Sequence, residues 1–422
     1  MERKRIVELI RQQIQPAVGC TEPAAVGYAT ALAVRELGTE PETVTALVSR
    51  NILKNAMGVG IPGTGMVGLP IAIALSVVCG DAEAQLAVFH GVTEEAVAKA
   101  KRLAESGRIR IGLAEEGGPL YIRVTAEGGG HTCSVVIEDT HTHVSSIQLD
   151  DEMTVFNATF AAEGTVGEDE EELTLDEIDA FVRTAETEEL TFLRDCVETN
   201  LRIAREGLEH EWGLAIGQSI RHDRPMREMT DEEYALAVTC SAADARMGGC
   251  TLPVMSACGS GNQGLTATLP VIAVCEKRQL PEKTMLRALA YSLLVTIHVK
   301  RHIGHLSALC ACSVGASIGT AAALTWLDGG DRAMIGDCIC NVIADVSGVI
   351  CDGAKATCAM KVATGVSSAF RSKLLAQHHH KATVTDGIVG RDAEATIDDL
   401  GVLCEKGMRE TDRVILDILV SK

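Results

Sequence analysis

Aromatic residues are scarce. Phe, Tyr and Trp together make up 3% of the 422 residues. The interior must be filled by Ala, Val, Leu, Ile and Met, and such small side chains suit helices that pack closely. Positive charge is also short: 38 Lys and Arg stand against 58 Asp and Glu, a formal net charge of −20. Nucleic acid and anionic membrane surfaces are bound through clustered cations. No basic stripe is present, so a small-molecule substrate is expected, with no nucleic acid and no membrane as partner. Long apolar runs are missing as well. Residues 55–80 carry no charge, yet six glycines and two prolines interrupt them. That stretch reads as a buried glycine-rich loop feeding a core helix and not as a membrane span. Residues 1–14 mix charged and apolar residues at helical spacing and lack the apolar core of a secretory signal. A cytoplasmic protein is expected.

Hydrophobic residues at 46% and charged residues at 23% fit a folded globular chain, long enough for two domains. Cysteine is abundant, with 15 residues. In a reducing compartment these do not form lasting disulfides, and most would be small buried hydrophobes. Eleven of the 15 lie at or after Cys240, and six fall between Cys310 and Cys358.

The expected fold class is α+β: a small N-terminal α/β domain, residues 1–165, and a larger all-helical domain, residues 166–422. A helix is expected over 22–37, with Thr21 as N-cap, Pro23 in the first turn and Gly38 as stop. A second is expected over 94–106. Residues 120–126 and 131–138 read as strands joined by a hairpin across 127–130, and 141–149 adds a third. The boundary falls in the acidic stretch 163–172. Thr174 with Glu177, and Thr230 with Glu233, form capping boxes that open helices. His378, His379 and His380 read as an exposed loop.

Four sets of residues can carry chemistry. Cys310 lies in LCACSVG, and Cys351 and Cys358 lie in ICDGAKATC. On one unbroken helix the latter two would stand about 10.5 Å apart along the axis, but Asp352-Gly353 offers a break that lets them share a centre, with Cys310 arriving from a separate helix. Three thiolates can hold an iron–sulfur cluster and leave one iron open. Zinc is a rival, although the spacings are C-x-C and not the C-x2-C of structural sites. Buried packing cysteines are the third reading. Gly259-Ser260-Gly261-Asn262-Gln263-Gly264 matches a dinucleotide fingerprint by letter only, because no βαβ unit surrounds it. It reads better as a loop opening a helix over 265–276, where Ser260, Gly261, Asn262 and Gln263 can bind a carboxylate; a plain tight turn is the alternative. Cys20, just before a helix N-terminus and beside Thr21 and Glu22, is a candidate base or sulfur nucleophile with a lowered pKa. Lys300, Arg301, His302 and His305, on one helix before Cys310, add positive potential or form a solvated helix end.

With these residues in view, the chain resembles the iron–sulfur L-serine dehydratase superfamily, and more closely its L-cysteine desulfidase branch. The matching segments are QPAVGCTEPAA (15–25), KNAMGVGIPGTGMVGLPIA (54–72), GGHT (129–132), GSGNQG (259–264), LCACSVG (309–315) and ICDGAKATCAMKVAT (350–364). The resemblance implies a [4Fe–4S] cluster held by Cys310, Cys351 and Cys358 with one open iron. It further implies Cys20 as a catalytic residue, substrate contacts from Thr21, Glu22, Asn55, Ser260, Gly261, Asn262 and Gln263, and a homodimer. The serine dehydratases space their last two ligands further apart and carry a Ser-Ser-His-Thr loop where this chain has Cys20-Thr21-Glu22. The implied reaction is therefore α,β-elimination of L-cysteine to pyruvate, sulfide and ammonium. L-serine dehydration at the same site is the alternative, and a non-enzymatic iron–sulfur sensor is the third.

Overall fold

The computed structural model describes residues 1–115, 117–118, 120–156, 173–304 and 308–421. The acidic stretch 163–172, the expected boundary at 165/166 and His305 lie outside the described residues.

The chain is α+β, as expected. Strand β1 is Ile14–Ala17. A six-stranded sheet is built from β2 (Thr43–Val48), β3 (Ile109–Leu113), β4 (Tyr121–Gly128), β5 (His131–Glu138), β6 (Val144–Leu149) and β7 (Glu152–Phe156). Its order is β3-β2-β4-β5-β6-β7, with β2 and β3 parallel and every other pair antiparallel. The alternation of buried residues explains the strands. Val44, Ala46 and Val48, Ile122, Val124 and Ala126, and Cys133, Val135 and Ile137 all enter one core. The Thr21–Leu37 helix covers that face with Ala25, Val26, Ala29, Leu32 and Ala33. It stops at Gly38, whose φ of 72° supplies the left-handed cap. Its N-cap is Cys20 and not Thr21.

The uncharged stretch contains the Leu69–Cys79 helix, which is buried from Leu69 to Ser76 apart from Pro70. Among the described residues no helix is long and apolar enough to cross a membrane. The helix expected over 94–106 is Glu94–Ala104, and the third strand begins at Val144.

From Leu175 onward helices dominate, and both expected capping boxes form. One strand departs from the all-helical expectation: β8, Val254–Ala257, pairs antiparallel with β1. It leads into the Gly261–Lys277 helix, which starts four residues before the expected 265. An antiparallel strand excludes a dinucleotide-binding βαβ unit at this loop.

The shortage of aromatics is met by close helix packing. The Glu282–Ile303 and Gly315–Leu327 helices bring Gly319 against Ser292, where a Cβ would lie 2.2 Å from the Ser292 carbonyl oxygen. Buried hydroxyls bond back to their own helix, as Thr239 does to the Ala235 carbonyl at 2.7 Å, or across to the next, as Thr320 does to the Thr266 carbonyl at 2.7 Å. Such packing tolerates no added methyl. Gly319→Ala is expected to destabilise the protein in urea unfolding by about 2 kcal/mol or more, through overpacking. Gly329→Ala, in a turn with open space around it, is expected to cost about half as much. Equal losses would contradict the packing argument.

Candidate active site

Two loops of the helical region bring the cysteine set together. Leu309 and Ile350 form a β-bridge. The Cys310 N–H donates to the Val349 carbonyl at 2.9 Å, and the Cys351 N–H to the Ala308 carbonyl at 2.6 Å. Cys310 is therefore not carried on a helix, contrary to expectation. The Glu282–Ile303 helix ends at Gly304, whose φ is 75°, and Cys310 sits in a turn before Gly315. Lys300, Arg301 and His302 occupy the last turn of that earlier helix. The break after Cys351 is present. Gly353 has φ 97°, and the next helix begins at Cys358. Cys358 accepts the Lys355 N–H at 3.4 Å.

Gly353 also meets the N-terminal region. A Cβ there would lie 2.1 Å from the Lys54 carbonyl oxygen. A parallel bridge between Gly58 and Lys355 continues the contact, and the Lys54 ammonium pairs with Asp412 at 2.6 Å. Asn55, one residue on, donates to Glu22 Oε1 at 2.9 Å, and the Thr21 hydroxyl donates to Glu22 Oε2 at 3.1 Å. Three of the expected substrate residues thus form one hydrogen-bonded group. Cys20 is buried in a small cluster with Val59, Met247, Ala354 and Cys358.

The glycine loop joins from the third side. Ser260 Oγ lies 3.2 Å from Cys312 Sγ. Asn262 Oδ1 accepts from Arg246 Nη1 at 3.2 Å, and Arg246 Nη2 donates to the Gly19 carbonyl at 2.8 Å. Gly261 packs on the same guanidinium. Gln263 is fully buried, and neither of its amide atoms has a partner.

Electrostatics sort the sulfurs. Burial pushes the Cys20 thiol up to about 12; nearby Arg246 opposes this, and Glu22 and Cys358 add to it. The depressed thiol expected from the helix N-terminus is therefore reversed, because desolvation outweighs the dipole. Cys312 moves the other way, below its ordinary value. The hydrogen bond from Cys310 is the main cause, and burial is overcome by Ser260, Arg246 and Lys300. Asp352 is held down to about 2 against its burial, by hydrogen bonds from Lys355 and Lys361.

The donor set fits an iron–sulfur group. Cys351 lies within electrostatic reach of both Cys310 and Cys358, and the cations Lys300, Lys355 and Lys361 lie within reach of these sulfurs and offset thiolate charge. Among the described residues no group of three or more His, Cys, Asp or Glu side chains is arranged to hold a metal ion.

Three residues of the site were missed by sequence reasoning. Cys312 had a signal, its C-x-C spacing from Cys310. Arg246 had a faint one, as the single cation between Arg227 and Lys277. His141, in the turn between β5 and β6, had none; it lies within electrostatic reach of Glu22.

A family model described as serine dehydratase alpha chain matches residues 83–417. Full-length relatives are similar. A UPF0597 protein of Bacteroides fragilis is 42% identical over 100% of this chain and 99% of its own length. One from Photobacterium profundum is 42% identical over 99% and 98%, and one from Oleidesulfovibrio alaskensis 40% over 100% and 99%.

Burial holds the His141 imidazole below its ordinary 6.5, with Glu22 opposing. The unfolded chain binds a proton near that pH which the folded site refuses, so stability falls as pH drops through about 6.5. His141→Asn is expected to flatten the loss between pH 7 and 5 in denaturant titrations. An unchanged slope would contradict the burial argument.

Proposed function

This chain belongs to the serine dehydratase alpha-chain family, within the iron–sulfur serine dehydratase-like superfamily, and we propose that it is a lyase that eliminates sulfide from L-cysteine. The family points to a lyase of the serine dehydratase type; the choice of cysteine rests on the site. The observation that carries it is the packing of Cys20 against Cys358: a thiol stands beside the cysteine set where the serine dehydratases have a Ser-Ser-His-Thr loop.

Cys310, Cys351 and Cys358 would hold the [4Fe–4S] cluster, which when bound supplies a Lewis acid at the iron left without a protein thiolate. The remaining work falls to the chain's own side chains. Ser260, Gly261, Asn262 and Gln263 receive the substrate carboxylate at the first turn of the Gly261–Lys277 helix. Glu22, fixed by Thr21 and Asn55, faces the ammonium group. Cys20 is the base for the α-proton. Burial holds the proton on the resting Cys20 thiol, so it serves as base only after that proton has left, a state that Arg246 favours. Loss of the α-proton and of sulfide leaves aminoacrylate. This tautomerises and takes up one water, giving pyruvate and ammonium. L-serine, favoured by the family's description, is the rival substrate, with water as the leaving group.

Anaerobically reconstituted protein is expected to bind about four irons and to release sulfide and pyruvate from L-cysteine faster than pyruvate from L-serine. Cys310→Ala and Cys358→Ala lose the iron. Cys20→Ala keeps it and loses turnover by roughly 10²–10⁴-fold. Faster pyruvate formation from serine would replace cysteine as the substrate, and full activity in Cys20→Ala would remove the base.

A further inference from the structure

Arg246 is a buried cation whose hydrogen-bond partners are all neutral. Its residue is 7% exposed. Nη1 donates to the side-chain oxygen of Asn262, Nη2 to the carbonyl of Gly19, and Nε has no partner. Among the described residues it forms no ion pair. Even arginines at the surface of the helical region are matched by carboxylates: Arg183 pairs with Asp179 at 2.8 Å, and Arg278 with Asp231 and Asp328 at 2.6 and 2.5 Å. Arginine cannot shed its proton to escape burial, and an uncompensated buried charge is costly. The carboxylate nearest in sequence does not help. Asp244 is turned to the 214–217 turn, where it accepts from the N–H groups of Leu214, Ile216 and Gly217. Glu22 is occupied by Thr21 and Asn55.

Two further features converge on this guanidinium. It lies against Gly261, where a Cβ would stand 2.3 Å from Nε and 2.5 Å from Cζ, so any larger residue at 261 would displace it. Gly261 also begins a 17-residue helix, whose first N–H groups present partial positive charge. In the same turn, Gln263 is buried with its amide nitrogen and oxygen both unsatisfied. The guanidinium Nε and both amide atoms of Gln263 therefore have hydrogen-bonding capacity left for a ligand. A single carboxylate placed there neutralises the arginine and accepts from the helix N-terminus and the amide.

We propose that Arg246 is the anchor for the α-carboxylate of the substrate, binding it together with the first turn of the Gly261–Lys277 helix. The site then selects α-amino acids over the corresponding amines. Identification of the ligand as an amino acid rests on the lyase reading above; the requirement for an anion rests on the unmatched charge. Arg246 would also join the two parts of the site, because it holds the Gly19 carbonyl beside Cys20 with one nitrogen and Asn262 with the other. A bound carboxylate would thus sit between the base and the glycine loop.

The test is equilibrium binding to the anaerobically loaded protein by titration calorimetry. L-alanine, which has no leaving group, is compared with ethylamine, which lacks only the carboxylate. Wild type is expected to prefer L-alanine by about 10-fold or more, as a charge-assisted hydrogen-bonded pair provides. Arg246→Gln is expected to abolish the preference while retaining the visible absorbance of the cluster, and Arg246→Lys to keep part of it. Should Arg246→Gln not fold, Gly261→Ala displaces the guanidinium and should reduce the same ratio. Equal binding of the two ligands by wild type overturns the proposal. So does an Arg246→Gln protein that keeps the preference, or that loses the cluster instead; in the latter case the cation serves the thiolates. Sulfide release from L-cysteine is measured alongside. A protein that prefers L-alanine yet releases no sulfide keeps the anchor and refutes the elimination of sulfide from L-cysteine.

Discussion

The contact of Gly353 with the backbone of Lys54 is the constraint on which the site depends. A side chain at 353 would occupy the Lys54 carbonyl, so the turn carrying Cys351 can lie on the segment carrying Asn55 only because it has none. From that contact the rest follows. Asn55 reaches Glu22, Cys20 reaches Cys358, and Val59 closes the space between them. A second close approach supports the first: Gly60 lies on the Gly248 backbone, where a Cβ would stand 2.5 Å from the carbonyl carbon. That contact sets the end of the Asp231–Met247 helix, and Arg246 with it, beside the Cys20 turn. The glycine-rich stretch that superficially suggests a membrane segment carries the contacts of Gly58 with Lys355 and of Gly60 with Gly248.

Charge is arranged around this junction in a way the bulk composition conceals. The chain carries a net charge of −20, yet the sulfur-lined region holds Arg246, Lys300, Lys355 and Lys361. Asp352 holds two of these lysines in place. Thiolates buried together repel one another, and a cationic surround offsets that repulsion. The same potential attracts a small anionic group, so one set of side chains serves both the resident sulfur ligands and an incoming carboxylate. An acidic exterior with a cationic interior suits a small amino acid and not a polyanion.

Much of the architecture was legible because its causes are local. The Thr21–Leu37 helix announced itself through apolar spacing, an early proline and a terminal glycine. The expected N-cap was one residue out because the Thr21 hydroxyl turns to Glu22. β5 was read to the residue, since its β-branched run follows a glycine turn and Cys133, Val135 and Ile137 face one core. Both capping boxes formed. The failures were non-local. β1 and β8 are four residues each and find one another across most of the first 257 residues, so neither carries a pattern of its own. Cys310 was assigned to a helix, whereas the left-handed φ of Gly304 ends the preceding helix before it. The fall of the Cys20 thiol was inferred from the helix dipole, but its rise comes from burial that only the assembled fold creates. Arg246 matters through what surrounds it: a neutral carbonyl, an amide and a missing Cβ, none of them adjacent in sequence.

The central claim is that Cys310, Cys351 and Cys358 enclose one cluster that faces Cys20. Anomalous diffraction at the iron edge, from crystals of anaerobically loaded protein, tests it most directly. A single compact iron peak bounded by those three sulfurs, with Cys20 across from it, is the predicted result. Iron bound elsewhere, for example at Cys338 and Cys340, or a lone zinc between the three thiols, would contradict it.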